Sequence, residues 1–434
     1  MLPQREFRSS CLPRGTFLSR VASASNQGLS NAKKAKQDEF YTQYVDIQKE
    51  VEAYLEFDSD TFRGKVVYCN CDDPFESNFF KYFAASFNKL GLKRLISTSY
   101  DGSPIAGQAT LFPEYNEGNG KRKKPKALAV ILDHVRDEDG DGAANITDVE
   151  LFLKRNKAAR TALKGDDIYP GGDFRSPECI ALLKSADIVV TNPPFSLFRE
   201  FVAQLAEDGK KFLVIGNVQA LTYKEIFPLV KANKVWLGAT IHSGDREFRV
   251  PEHYPLAAAG YRVDEAGVKY IRVKGVRWYT NLDHGRRHQK LPLMTMEDNL
   301  RYSKHKEING KVGYDRYDNY DAIEVPYTDA IPDDYAGVMG VPVTFLDKYN
   351  PEQFEIVGYE KSYHLQTKKY PMQVQVDKSG KKSKVMKLND GVAIKVNQPP
   401  TDQTHYVVGE DQYIQQYKRI FIRHRTQPAI GKKK

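Results

Sequence analysis

Residues 187–198 read DIVVTNPPFSLF, and the fold turns on how this run stops. Ile188, Val189, Val190 and Thr191 form a short apolar, β-branched run that fits a buried strand. Asn192-Pro193-Pro194 ends it, because proline lacks an amide donor, fixes its own φ and restricts the residue before it. The result is a stiff loop that carries an amide side chain, a backbone carbonyl and, at its tip, the ring of Phe195.

Working outward, DFRSPECIALLKSA before the run reads as a helix. After it come helix SLFREFVAQLAED, strand KKFLVIGN, helix LTYKEIFPLVKAN and strand KVWLGAT. Upstream, the spacing predicts a strand over 65–71, a turn over 72–77, a helix over 78–90 ended by Gly91, and a strand over 92–98. Before these, Tyr44, Ile47, Val51 and Leu55 recur at helical spacing. Strands and helices that alternate with short connections predict a doubly wound α/β domain with a parallel sheet. In such a sheet ligands bind beyond the carboxyl ends of the strands, which places Asn192–Phe195 where chemistry is expected.

Residues 100–170 read as an insertion that holds a basic turn, the apolar strand ALAVILDHV and an acidic loop. From about 245 the pattern changes to short aromatic-rich strands and basic turns, such as VKYIRVKGVRWYTNL and YKRIFIRHR. The expected division is a basic arm over 1–36, an α/β domain over 37–244 and a second region over 245–434. The arm carries arginines among serines and lacks the apolar core of a secretory signal.

The 434 residues are 41% hydrophobic and 28% charged, enough to bury a large core. No window reaches the roughly 18 consecutive apolar residues of a spanning helix, so no membrane segment is expected. Four cysteines without zinc spacing fit a reducing compartment. The net charge of +9 is compatible with a polyanionic partner.

The loop also suggests a substrate. Asn192 and the Pro193 carbonyl can both accept hydrogen bonds, which suits a primary amine with two protons, while Phe195 offers a face for an aromatic ring. DIVVTNPPF resembles the catalytic motif of amino-group methyltransferases. DEFYTQYVDIQKEV, VRWYTNLDH and VPVTFLDKYNPEQFEIVG resemble segments of the EcoRI-type adenine-specific DNA methyltransferases, over roughly residues 38–425. The resemblance implies an α/β fold with a doubly wound Rossmann-like methyltransferase sheet, an inserted acidic loop and a smaller C-terminal α+β DNA-recognition region. It implies transfer of a methyl group from S-adenosyl-L-methionine to the 6-amino group of adenine in double-stranded DNA, with the base flipped out of the helix. The catalytic residues are then Asn192, Pro193, Pro194 and Phe195, and the chain has no Pro-Cys dipeptide for a covalent mechanism.

The resemblance implies cofactor contacts at Phe40, Tyr41 and Thr42, at Asp73, Pro74 and Phe75, and at Asp173 and Phe174. The chain departs from the methyltransferases at large in having Glu76-Ser77-Asn78 where they have glycines, and in having no acid over 97–100 for the ribose; Asp101 is the nearest. Helix capping by Thr42 and a surface turn at Gly172-Asp173 are the structural alternatives.

Two further signals stand apart. Asp137, Asp139, Asp141, Asn145 and Asp148 occupy positions 1, 3, 5, 9 and 12 of a calcium-type loop with Gly142 at position 6, against the alternative of a solvated acidic turn. Arg286, Arg287, Lys290, Lys304 and Lys306 form the basic stretch favoured for DNA phosphates, whereas the lysines of KSGKKSKVMK read as a solvated face. Trp278 and Tyr279 read as core or groove-lining. A monomer in a bacterial or phage-infected cytoplasm, at the nucleoid, is expected, with a cognate restriction endonuclease as an open partner. Protein-glutamine or RNA amino-methylation, and an inactive DNA-binding subunit, remain the alternatives.

Overall fold

The computed structural model describes residues 42–74, 77–100, 127–156, 159–242, 245–250, 262–416 and 418–425. The basic arm, Phe40, Tyr41, Phe75 and Asp101 lie outside the described residues.

The opening helix α1 (Tyr44–Phe57) buries Ile47, Val51 and Tyr54. The buried face is turned slightly from the one the spacing predicts, because Tyr54 rather than Leu55 points inward and Tyr44 stays 39% exposed. Strand β1 (Val66–Cys69) follows, then α2 (Asn78–Ala85) and α3 (Phe87–Leu90), which split the expected single helix at Ser86 and end at Gly91. Next come β2 (Arg94–Thr98), β3 (Leu128–Leu132), α4 (Ile146–Arg155), β4 (Arg160–Ala162), α5 (Pro177–Ser185), β5 (Ile188–Thr191), α6 (Phe198–Glu207), β6 (Lys211–Asn217) and β7 (Trp236–Leu237). A small three-stranded sheet, β8 (Asp245–Val250), β9 (Arg262–Val263) and β10 (Lys269–Lys274), precedes β11 (Val276–Thr280).

The central sheet has the order β4-β3-β2-β1-β5-β6-β11-β7. Strands β2, β1, β5 and β6 are mutually parallel, while β3, β4 and β11 are antiparallel to their neighbours. The sheet is therefore mixed rather than wholly parallel, consistent with a Rossmann-like fold. Two expectations change. Residues 128–162 are part of this sheet, as its β3–β4 edge, and not only an insertion. Beyond residue 244, Val276–Thr280 returns as β11 between β6 and β7, so the sheet draws on both sides of that division.

Why both faces of this sheet are apolar follows from what covers them. Val67, Cys69, Val190, Leu213, Ile215 and Trp278 point to one side, into the core shared with α1, α2 and α4. Their strand neighbours Tyr68, Val189, Phe212, Val214 and Tyr279 point to the other, against α5 and α6. Trp278 and Tyr279 are both fully buried, so they are core residues.

The second core does not stop at the helices. It runs on into a four-stranded sheet of Ile323–Glu324, Met339–Pro342, Arg419–His424 and Phe354–Tyr359, through Met339, Val341, Phe354, Ile420 and Ile422. A buried ion pair reinforces the junction: Arg277 on β11 donates to Asp347 at 2.6 and 3.0 Å. The five-stranded antiparallel sheet of residues 373–415 instead has its own small core, Tyr370, Leu388, Ala393, Tyr406 and Tyr413. Among the described residues no helix is long and apolar enough to cross a membrane.

Candidate functional site

The carboxyl ends of β1, β2 and β5 meet at one buried carboxylate. Asp72, just past β1, accepts from the Ser77 hydroxyl at 2.7 Å and from the Thr191 hydroxyl at 2.5 Å. Its own carbonyl accepts from the Ser97 hydroxyl at 2.6 Å. Ser77 in turn caps α2 through the Phe79 amide. Beneath this point Thr98 donates to Asn70 Oδ1 at 3.3 Å, and the Thr191 hydroxyl also lies against the Asn70 carbonyl. Hydroxyl groups at strand ends thus fix the loop after β1 against the loop after β5. The sequence reading chose Asp73; Asp73 is half-buried and offers its carbonyl to the Ser77 amide at 2.8 Å. Adjacent aspartates carry no signal as to which turns inward.

Asn192, Pro193 and Pro194 are buried in the loop that Thr191 anchors, and Phe195 opens a short 3-10 turn, Phe195–Leu197, that leads into α6. Phe195 is half-buried and packs on the core of the α1–α2 face. Held between a buried strand and a helix, the loop is rigid on both sides, as a positioned acceptor pair requires.

A narrow cleft beside it is lined by Cys71, Tyr100, Gly172, Asp173, Phe174, Pro194 and Leu197. Gly172 has φ +77°, and a Cβ there would sit 1.8 Å from the Ser99 carbonyl, so only glycine lets this segment close on the end of β2. Asp173 and Phe174 therefore lie at the carboxyl edge, beside the end of β2. Asp173 is buried and chelated by Arg175, whose Nε and Nη2 both donate at 2.9 Å. The Asp173 hydrogen bond raises the Arg175 pKa further above its ordinary value. Phe174 is buried edge-on against Phe201, with ring centroids 5.1 Å apart.

Thr42 reaches the same edge. Its carbonyl accepts from Asn78 Nδ2 at 2.7 Å, which ties the segment before α1 to the start of α2. The Thr42 hydroxyl is buried without a hydrogen-bond partner among the described residues. Pro74 is buried in the intervening loop. This edge thus brings together a buried hydroxyl, the Asp73 turn and a narrow cleft walled by Phe174 and Pro194.

In the acidic loop Asp137, Asp139 and Asp141 do converge, with one oxygen of each within 4.8 Å of the others. Asn145 and Asp148 are used differently from the calcium-loop expectation, because they form a capping box on α4. Asp148 accepts the backbone N–H groups of Asn145 and Glu138, each at 2.7 Å, and of Asp139 at 3.1 Å. These donors, that of Asn145 first, hold its carboxyl below the usual carboxylate range. Two of the five expected ligands thus serve the start of the helix.

The favoured basic stretch divides as well. Arg287 is buried; it donates to Asp283 at 3.0 Å and to Asn233 at 2.6 Å and lies 3.5 Å from the centre of the Trp236 ring. Arg286 is half-buried, and desolvation lowers its pKa. Lys304 pairs with Asp329 at 2.8 Å, whereas Lys290 and Lys306 are exposed. The lysines of 378–387 are exposed on the five-stranded sheet, as expected of a solvated face.

Comparison with known proteins gives one answer. The sequence model of a family described as "Adenine-specific methyltransferase EcoRI" matches residues 28–425. The Type II methyltransferase M.EcoRI of Escherichia coli is 46% identical over 344 residues, covering 78% of this chain and 90% of that relative. The Type II methyltransferases M.MpnI of Mycoplasma pneumoniae and M.MgeORF184P of Mycoplasma genitalium are each 36% identical over 330 residues, or 76% of this chain and 84% of theirs. No solved structure matches the chain.

Proposed function

The chain belongs to the EcoRI family of adenine-specific DNA methyltransferases, and from that premise we propose that Asn192-Pro193-Pro194-Phe195 is the loop that presents the adenine amino group for methylation. Membership of a methyltransferase family implies S-adenosylmethionine as the donor, and when bound it supplies the methyl group on a sulfonium centre. The observation that carries the reading is the tie between Thr191 and Asp72, which locks the amine-binding loop to the loop that starts α2.

The amino nitrogen of adenine is a poor nucleophile because its lone pair is delocalised into the ring. Asn192 Oδ1 and the Pro193 carbonyl accept its two hydrogens and favour a pyramidal nitrogen with the lone pair released. As the nitrogen takes the methyl group it becomes cationic, and the same two acceptors stabilise that charge until one proton leaves to solvent. Phe195 stacks the base after it has been flipped from the duplex, where the amino group is out of reach. Thr42, Asp73, Pro74, Asp173 and Phe174 are the described residues that face the donor's side. Because Arg175 holds both Asp173 oxygens, Asp173 acts there as an oriented wall.

Radiolabelled methyl transfer to duplex DNA by purified protein, run beside photocrosslinking of the donor, tests the proposal. Asn192→Ala is expected to crosslink normally and transfer nothing measurable. Transfer at the parent rate would remove Asn192 from the mechanism.

A further inference from the structure

The small sheet β8-β10-β9 has two unlike faces, and its register separates them. Lys274 pairs with Asp245, Arg272 with Glu247, Ile271 with Phe248, and Tyr270 with both Arg249 and Arg262. Directly paired residues share a face and neighbours along a strand alternate. One face therefore carries Phe248 and Ile271, 2% and 5% exposed, with Val273 packed beside them in the α1–α2 core, and in the same row the half-buried Arg246 and Lys269. The other carries Arg249, Arg262, Tyr270, Arg272 and Lys274 together with the acids Asp245, Glu247 and Asp264, the last beside Tyr270 and Arg262. Arg249, Arg262, Arg272 and Lys274 are exposed. Arg262 lies 4.2 Å from the centre of the Tyr270 ring and pairs with Glu247 at 2.9 Å.

Topology gives this face its direction. Strand β10 passes through Gly275 into β11, whose first residue Val276 pairs with Asn217 at the carboxyl end of β6. The run after β7 into β8 leaves the same edge, because β7 is antiparallel to β11 and so points as β6 does. Both connections of the small sheet thus arise at the edge that holds Asn192. Inward, it is fixed by core packing; outward, it offers four exposed cations against three carboxylates at the carboxyl edge of the central sheet.

We propose that this outward face is a phosphate-contacting surface, on which Arg249, Arg272 and Lys274 grip the backbone of the DNA duplex while Arg262, set by Tyr270 and Glu247, holds a fixed register. The proposal rests on the reading that the chain methylates adenine in DNA. Positively charged strands against a duplex supply sequence-independent affinity and fix its orientation, which a base delivered to a rigid loop requires.

The test is binding of a fluorescent duplex across a salt series by the parent, by the triple variant Arg249→Ala, Arg272→Ala, Lys274→Ala, and by the double lysine exchange Arg249→Lys with Arg272→Lys, in which Lys274 is kept. Each phosphate contact contributes about 0.9 to the slope of log affinity against log salt. The alanine triple is expected to lose roughly tenfold or more in affinity at moderate salt and about 2 to 3 units of slope; the lysine variant is expected to retain most of both. An alanine triple with the parent's affinity and slope overturns the surface. So does a lysine variant as weak as the alanine triple, since that would mark lost folding rather than lost charge. Methyl transfer by the parent is measured alongside: a parent that binds duplex through this face without methylating it contradicts the catalytic reading and leaves the surface standing.

Discussion

Two stretches, 286–311 and 245–274, both carry several lysines and arginines and place them differently in the structure. In the first, Arg287 is buried on Trp236 and Lys304 and Lys311 pair with Asp329 and Asp315. His288 is bound between Asp283 and Glu352 at 3.1 and 3.0 Å. Its charges are largely spent on the protein itself. In the second, strand alternation sets a half-buried row around Phe248, Ile271 and Val273 opposite an exposed row of Arg249, Arg262, Arg272 and Lys274. Charge counted along a sequence measures neither; what matters is which face each cation occupies and how deeply it is buried.

The comparison can be broken or sharpened at several points. The largest effect belongs to the loop that both stretches would serve: Asn192→Ala is expected to lower methyl transfer by about a thousandfold or more, measured in single turnover, with duplex affinity kept. Next comes the alanine triple on the 245–274 face, with its loss of salt slope. Arg287→Ala should instead cost stability, about 1–3 kcal/mol, read by denaturant unfolding, because it removes the bonds to Asp283 and Asn233 and the cation packed on the Trp236 ring. If that variant stays stable and loses salt slope, the two stretches have been assigned the wrong way round. Lys304→Ala with Lys306→Ala should change stability by less than about 0.5 kcal/mol and the slope by at most about one unit.

The smallest effect is a pH dependence. Hydrogen bonds that the His288 ring donates to Glu352, and then to Asp283, raise its pKa above the ordinary 6.5. A raised folded-state pKa means that the protonated ring's contribution is complete below about 6.5 and is lost as pH rises through the folded-state value. A shallow fall in melting temperature on going above neutral pH is expected, and His288→Gln should flatten it; an unchanged profile would remove that tether from the account.

Much of the fold was legible, because local chemistry and tertiary role coincide there. The run Ile188–Thr191 before Asn-Pro-Pro is a strand, Gly91 closes a helix, and the alternation of elements reports an α/β core. What was hidden depended on contacts far apart in sequence. VRWYT reads as the start of a new region, yet it returns to β6 across some sixty residues that carry the small sheet. Asp72 and Asp73 are equivalent by type, and only the hydroxyls of Ser77, Thr191 and Ser97, from three separate elements, single out Asp72. Likewise the calcium-type spacing is real, but a capping box uses the same residue types at its last two positions. Arg287 looked like its neighbours because nothing local announces Trp236 and Asn233, some fifty residues upstream.

The most direct test of the central claim is single-molecule sequencing of DNA from cells that express this chain, beside cells that express Asn192→Ala. Methyl-adenine at one recurrent sequence with the parent, absent with the variant, is the predicted result. The same methyl-adenine pattern from Asn192→Ala would contradict the role given to the Asn-Pro-Pro-Phe loop.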